Sequence, residues 1–153
     1  MLRTTIAAVA GKAARRAARL RGGGSGGSAL PGLVAERIDP GFLAHALADV
    51  RGGIVVVSGT NGKTTTTKML VGILRAHGVS VFTNPSTANI SQGLTSALLE
   101  RADLRGRIDA ELGVLEMDEG HGALIAPRLA PAHVILTNVS VDQSGHAVSP
   151  GAA

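Results

Sequence analysis

The stretch Ile54-Val-Val-Val-Ser-Gly59-Thr-Asn-Gly62-Lys63-Thr64 limits what this chain can fold into more than any other. Four β-branched residues in succession suit a strand buried on both faces. Two glycines, a lysine and the threonines Thr64 to Thr67 follow at once, a composition for a tight turn that opens a helix. A strand that delivers a glycine-rich turn to a helix N-terminus is suited to binding phosphate. Glycine lets backbone N–H groups approach the oxygens, and the helix start adds partial positive charge. Gly59, Thr60, Asn61, Gly62, Lys63, Thr64 and Thr65 are therefore candidate phosphate-binding residues. Lys63 has the reach for β- and γ-phosphates, and the Thr64 hydroxyl suits Mg²⁺. The strict P-loop pattern asks for glycine at position 57, where this chain has valine, so the inference rests on the shorter Gly-Thr-Asn-Gly-Lys-Thr form. The competing reading is an ordinary strand-to-helix turn, which has no need of this lysine and these threonines together.

Beyond residue 53 strand and helix patterns alternate. Ile54–Ser58, Val79–Thr83, Leu112–Met117 and His133–Asn138 read as strands, and Lys63–Ala76, Ile90–Arg101 and Glu119–Leu129 as helices. This alternation predicts an α/β fold with a P-loop-type, mostly parallel sheet flanked by helices on both faces. Glu116 falls at the C-terminal end of a strand predicted to lie beside the loop strand, where open α/β sheets collect functional groups. An exposed acid at a strand end is its plain alternative. Asp118 and Glu119 start a helix, where acids favour the macrodipole.

The first 21 residues carry six basic groups (Arg3, Lys12, Arg15, Arg16, Arg19 and Arg21) and no acid, whereas the other 132 carry nine basic and eleven acidic groups. The net charge of +4 thus belongs to an appended basic arm. That distribution argues against a chain-wide nucleic-acid surface, and with Phe42 and Phe82 as the only aromatics there is no platform for stacking bases. Within the arm, residues 4–20 read as a helix with Ile6, Val9, Ala10, Ala13, Ala17 and Leu20 on a weakly apolar side and Lys12, Arg15, Arg16 and Arg19 apart from it. Three readings fit: docking on the chain's own body or a partner, peripheral membrane contact through residues 1–21, or a targeting peptide. Residues 22–29, mostly glycine and serine, read as a flexible linker. No cysteine is present, which excludes disulfides and thiolate metal sites. The five histidines show no metal-ligand spacing.

The loop after its apolar strand resembles that of the Mur ligase superfamily. Thr83-Asn84-Pro-Ser-Thr-Ala-Asn89 and Val114-Leu-Glu116-Met-Asp118-Glu119 resemble its MurT branch more closely, as does Asp142-Gln143 where many Mur ligases have Asp-His. The basic helix, Leu30-Pro-Gly and Ile38-Asp-Pro-Gly add to the likeness.

The resemblance implies an ATP- and Mg²⁺-dependent carbon–nitrogen ligase of the cytoplasm, working at the inner face of the membrane. Such an enzyme activates the D-glutamate α-carboxyl of lipid II as an acyl phosphate and amidates it to D-isoglutamine during peptidoglycan synthesis. The ammonia comes from a GatD-like glutaminase partner. Lys63 and Glu116 would be the catalytic residues, Thr64 and Glu116 the Mg²⁺ ligands, and Asn89 a substrate-binding residue. The implied layout is a basic helix (1–21), a linker (22–29), part of an ATP-binding central domain (30–143) and a tail (144–153) that departs from the family. On that layout the chain is the N-terminal nucleotide-binding part of a larger ligase, with little or no ligase activity alone. The alternatives are another Mur-type ligase such as a folylpolyglutamate synthase, or a non-catalytic nucleotide-binding module.

Overall fold

A computed structural model describes residues 2–20, 29–88 and 91–139, leaving aside the side chain of His121. Residues 22–28 of the linker 22–29, Asn89, Asp142-Gln143 and the tail 144–153 with His146 lie outside the described residues. Helix α1 (Leu2–Leu20) is followed by two short helices, α2 (Leu30–Ile38) and α3 (Phe42–Leu47). The alternating part then runs β1 (Ile54–Ser58), α4 (Lys63–Ala76), β2 (Val81–Thr83), α5 (Ser91–Arg101), β3 (Leu112–Glu116), α6 (Glu119–Leu129) and β4 (His133–Leu136). All pairings are parallel and the strand order is β2-β3-β1-β4, so the loop strand lies inside the sheet between β3 and β4. The expected α/β fold with a parallel sheet is what the chain adopts.

The period of two along a strand divides the core between the two faces of the sheet. Ile54 and Val56 of β1, Phe82 of β2 and Leu115 of β3 join one cluster, together with Ala7, Ala8, Phe42, Leu94, Leu98 and Ile125. Val55, Val57, Val81 and Val114 join the other, against Val71 and the half-buried Leu70 and Leu74 of α4. Among the described residues, α1, α2, α3, α5 and α6 share the core on one side of the sheet, and α4 packs on the other.

Three expectations change at this level. First, α2 and α3 were not legible in the sequence, and they contribute Ala35, Phe42, Leu43, Ala46 and Leu47 to the main core. Second, strands β2 and β4 are shorter than the apolar runs. Ser80 gives its N–H to the Glu111 carboxylate (2.8 Å) rather than entering a strand, and Thr137 turns its hydroxyl to the loop after β1. Third, α1 docks on the body, but with the wrong face. Thr4, Ala7, Ala8 and Gly11 are buried, while Ile6, Val9 and Leu20 point away. Small residues permit close approach here, since a Cβ on Gly11 would come within 2.6 Å of the Leu99 side chain.

Polar contacts fix α1 in place. Lys12 donates to the Leu99 carbonyl (2.8 Å), and Arg15 and Arg19 both reach Glu100 (3.3 Å). The Thr4 hydroxyl donates to buried Asp39 (2.9 Å), which also meets His45 Nδ1 (2.9 Å) and accepts the Gly41 N–H (3.1 Å). Burial pushes the Asp39 carboxyl up, but His45, Thr4 and Gly41 outweigh it and hold the group below its ordinary value. A depressed folded-state value means the stabilisation is fully present above the unfolded carboxylate value, about pH 4, and is lost as pH falls through the folded one. Acid titration followed by thermal unfolding is therefore expected to show a loss of stability below about pH 4 that is diminished in Asp39→Ala. An unchanged acid slope in that variant would show that Asp39 does not anchor α1.

Candidate functional site

Three sheet-end segments converge where β1 stops. The turn 59–62 carries the chain from β1 into α4, with Gly62 at the N-cap in a left-handed conformation (φ 84°). The amides of the first helical turn have no intrahelical acceptor and face outward. Thr60 to Thr65 line an open depression of about 180 Å³. Every residue expected to bind phosphate therefore lies on this one concave surface, except Gly59, which is buried and does not line it.

The turn is braced from β4. The Thr137 N–H donates to the Ser58 carbonyl (2.9 Å) and its hydroxyl to the Asn61 carbonyl (2.6 Å), while the Asn138 side chain accepts the Asn61 N–H (2.9 Å). The Thr60 N–H donates to the Asn138 carbonyl (3.1 Å). This closeness explains the glycine at 59. Its φ is 129°, and a Cβ there would overlap the Thr137 hydroxyl and lie 2.8 Å from the Asn138 carbonyl oxygen.

Lys63 folds back over the turn, donating to the carbonyls of Gly59 and Thr60, the latter at 3.1 Å. Its ammonium also lies 3.9 Å from the Glu119 carboxylate. A hydrogen bond from its own backbone N–H, then one from the Thr60 side chain, holds Glu119 below the ordinary carboxylate range, with the Lys63 charge adding to both. Phosphate oxygens entering the depression would offer Lys63 a better partner than neutral carbonyls.

Glu116 is brought to the same mouth by register. It pairs with Val57 across β3 and β1, and the Thr64 hydroxyl donates to its carboxylate at 2.8 Å. The residue is 4% exposed. Asn84, just past β2, clamps it: the Glu116 N–H donates to the Asn84 side-chain oxygen, and the Asn84 amide donates to the Glu116 carbonyl, both at 2.9 Å. Thr64 and Glu116 offer adjacent oxygens of the kind Mg²⁺ takes when waters and phosphates fill its other positions. Among the described residues no cluster of three or more acidic, histidine or cysteine side chains could hold a metal.

Sequence reasoning passed over Asn84, Glu119, Thr137 and Asn138 as parts of this site. A signal for three of them was present: β2 and β4 both run into Thr-Asn, at Thr83-Asn84 and Thr137-Asn138, and both asparagines tie their strand end to a neighbour. Glu119 was assigned only to its helix start, and its proximity to Lys63 needs the three-dimensional arrangement. Asn89 lies outside the described residues, so its part in the site stays an expectation.

The Mur ligase middle domain family matches residues 57–145, an interval that opens at the end of β1 and holds the turn, Glu116 and β4. The chain is also similar to the lipid II isoglutaminyl synthase (glutamine-hydrolyzing) subunit MurT of Staphylococcus aureus (strain COL), at 35% identity over 132 residues. That alignment covers 86% of this chain and 29% of the relative. The subunit of the same name from Streptococcus pneumoniae (strain ATCC BAA-255 / R6) is 37% identical over 143 residues, 93% of this chain and 30% of that protein. The chain thus spans less than a third of the length of these relatives. With a phosphate-type turn between β1 and α4 and a glutamate clamped opposite it, the chain belongs to the Mur ligase family, through its middle domain.

Proposed function

We propose that this chain is the nucleotide-binding part of a MurT-type ligase subunit that uses Mg·ATP to amidate a carboxylate of lipid II. The observation that carries this reading is the meeting of Thr64 and Glu116, 2.8 Å apart, at the mouth of the Gly-Thr-Asn-Gly-Lys-Thr turn. The similarity to subunits named for lipid II isoglutaminyl synthesis supports the substrate class.

The turn amides and Lys63 would bind and orient the β- and γ-phosphates, and Thr64 and Glu116 would hold Mg²⁺. The ion supplies charge neutralisation, which lets an anionic carboxylate approach an anionic phosphate. Fixed positive groups aimed at the transferring phosphoryl group stabilise its transition state without reorganising as the reaction proceeds. The D-glutamate α-carboxylate of the stem peptide attacks the γ-phosphorus, giving an acyl phosphate and ADP. Ammonia from a glutaminase partner of the GatD type then displaces phosphate, the amine's surplus proton leaving on the departing phosphate, to give D-isoglutamine. Residues 30–143 form the nucleotide-binding unit, residues 1–21 a basic docking helix, and residues 22–29 the link between them. The substrate places the work at the cytoplasmic face of the membrane.

Glu116→Gln tests the metal role. The variant keeps the size of the side chain and a carbonyl acceptor for Thr64 but loses the charge, so the Mg²⁺-dependent part of ATP affinity is expected to fall by roughly tenfold, with Mg²⁺-free affinity unchanged. Titration calorimetry with and without Mg²⁺ reads both quantities. An unaltered Mg²⁺ dependence would remove Glu116 from the ion site. The activity itself is tested by incubating chain, glutaminase, glutamine, ATP and lipid II. Amide formed equally well without ATP would contradict the reading.

A further inference from the structure

Helix α1 has two usable faces, and packing occupies only one. Opposite the buried face of Thr4, Ala7, Ala8 and Gly11, the residues Leu2, Ile6, Val9, Ala13 and Leu20 form one stripe at helical spacing. Leu2 and Leu20 are 77% and 82% exposed, and Ile6 and Val9 about half exposed. The described helix contains no acid. Arg3 and Arg16 border the stripe and are exposed. On the remaining flank Arg15 and Arg19 share Glu100, and Lys12 is tied to a carbonyl. The nearby Asp103 is engaged by Arg107. Among the described residues the five basic groups of the helix meet the carboxylates of Glu100 and Asp103, so the rim of the apolar stripe keeps a net positive charge.

We infer that the outer face of α1 is a peripheral docking surface for an anionic lipid bilayer. A surface-lying helix of this kind seats its aliphatic residues at the headgroup–acyl boundary and sets its basic flanks among lipid phosphates. No helix among the described residues is long and apolar enough to cross a membrane, so the contact is one of lying on the surface. Charge selects this occupant over a second copy of the chain, since a symmetric helix-to-helix contact would set arginine rims against each other. The inference extends the ligase reading, which needs access to a lipid-linked substrate. It is tested without lipid II, so either can fail alone.

The test is co-sedimentation of the whole chain with phosphatidylglycerol-containing vesicles and with pure phosphatidylcholine vesicles. Binding to the anionic vesicles is expected, weakening with salt. Arg3→Ala and Arg16→Ala should each lower partitioning about fivefold. Ile6→Asp/Val9→Asp should lower it by more than about tenfold, with the thermal unfolding midpoint and Mg·ATP affinity unchanged because neither side chain is in the docked face or the phosphate turn. The proposal is overturned if the chain ignores anionic vesicles at low salt. It is equally overturned if the double variant binds them as well as the parent, or if that variant abolishes only a concentration-dependent dimer.

Discussion

Replacing Gly59 by alanine is expected to reduce the free energy of unfolding by about 3 kcal/mol or more, the largest loss for a single added methyl group in the turn. Two independent causes combine. The φ of 129° is a backbone region that side chains rarely adopt, and the new Cβ would press on Thr137 and on the backbone of Asn138. Those atoms cannot withdraw without giving up the Thr137 N–H bond to Ser58 and the Thr60 N–H bond to Asn138. Gly62 supplies the internal comparison. Its φ of 84° is also left-handed, but a Cβ there meets nothing within 4 Å, so Gly62→Ala should cost only about 1–2 kcal/mol. Denaturant unfolding of both variants separates the effects. Equal losses would mean that the brace from β4 does not confine the turn.

Lys63→Ala is expected to weaken Mg·ATP binding by about 10- to 100-fold, the scale of one or two charge-assisted hydrogen bonds. Its effect on stability should be small. The bonds it loses run to the Gly59 and Thr60 carbonyls at the edge of an open depression, where water can replace the ammonium. Glu119 would then face the phosphates without the neighbouring cation, adding to the loss of affinity. A variant that unfolds at the parent's midpoint but binds Mg·ATP weakly would identify Lys63 as a ligand-directed group. One that loses stability and affinity together would make it a structural clip.

The parallel sheet and its loop were readable from the residues because both depend on short-range pattern. The β-branched run Ile54–Val57 demanded burial on two faces, and the clusters on either side of β1 meet that demand. Glu116 was legible because a parallel register beside β1 places a strand end opposite the turn. The short helices α2 and α3 were hidden by their punctuation. Pro31-Gly32 and Pro40-Gly41 are residue types that disfavour helix interiors, yet Pro31 sits in the first turn of α2, where its missing N–H costs nothing. The orientation of α1 was hidden for a different reason. Hydrophobicity favoured the face of Ile6, Val9 and Leu20, but close packing favoured the face of Gly11 and the alanines, and fit outweighed apolarity. The asparagine clamps at 84 and 138 depend on which strand ends become neighbours, and a local pattern holds no record of that.

The most direct measurement is a calorimetric titration of the unaltered chain with ATP, in the presence and absence of Mg²⁺. One saturable site per chain, strengthened by Mg²⁺ and weakened in both Lys63→Ala and Glu116→Gln, is the result predicted by a phosphate turn facing a metal-holding glutamate. Binding that is absent at millimolar ATP, or present but indifferent to Mg²⁺ and to both substitutions, would contradict it.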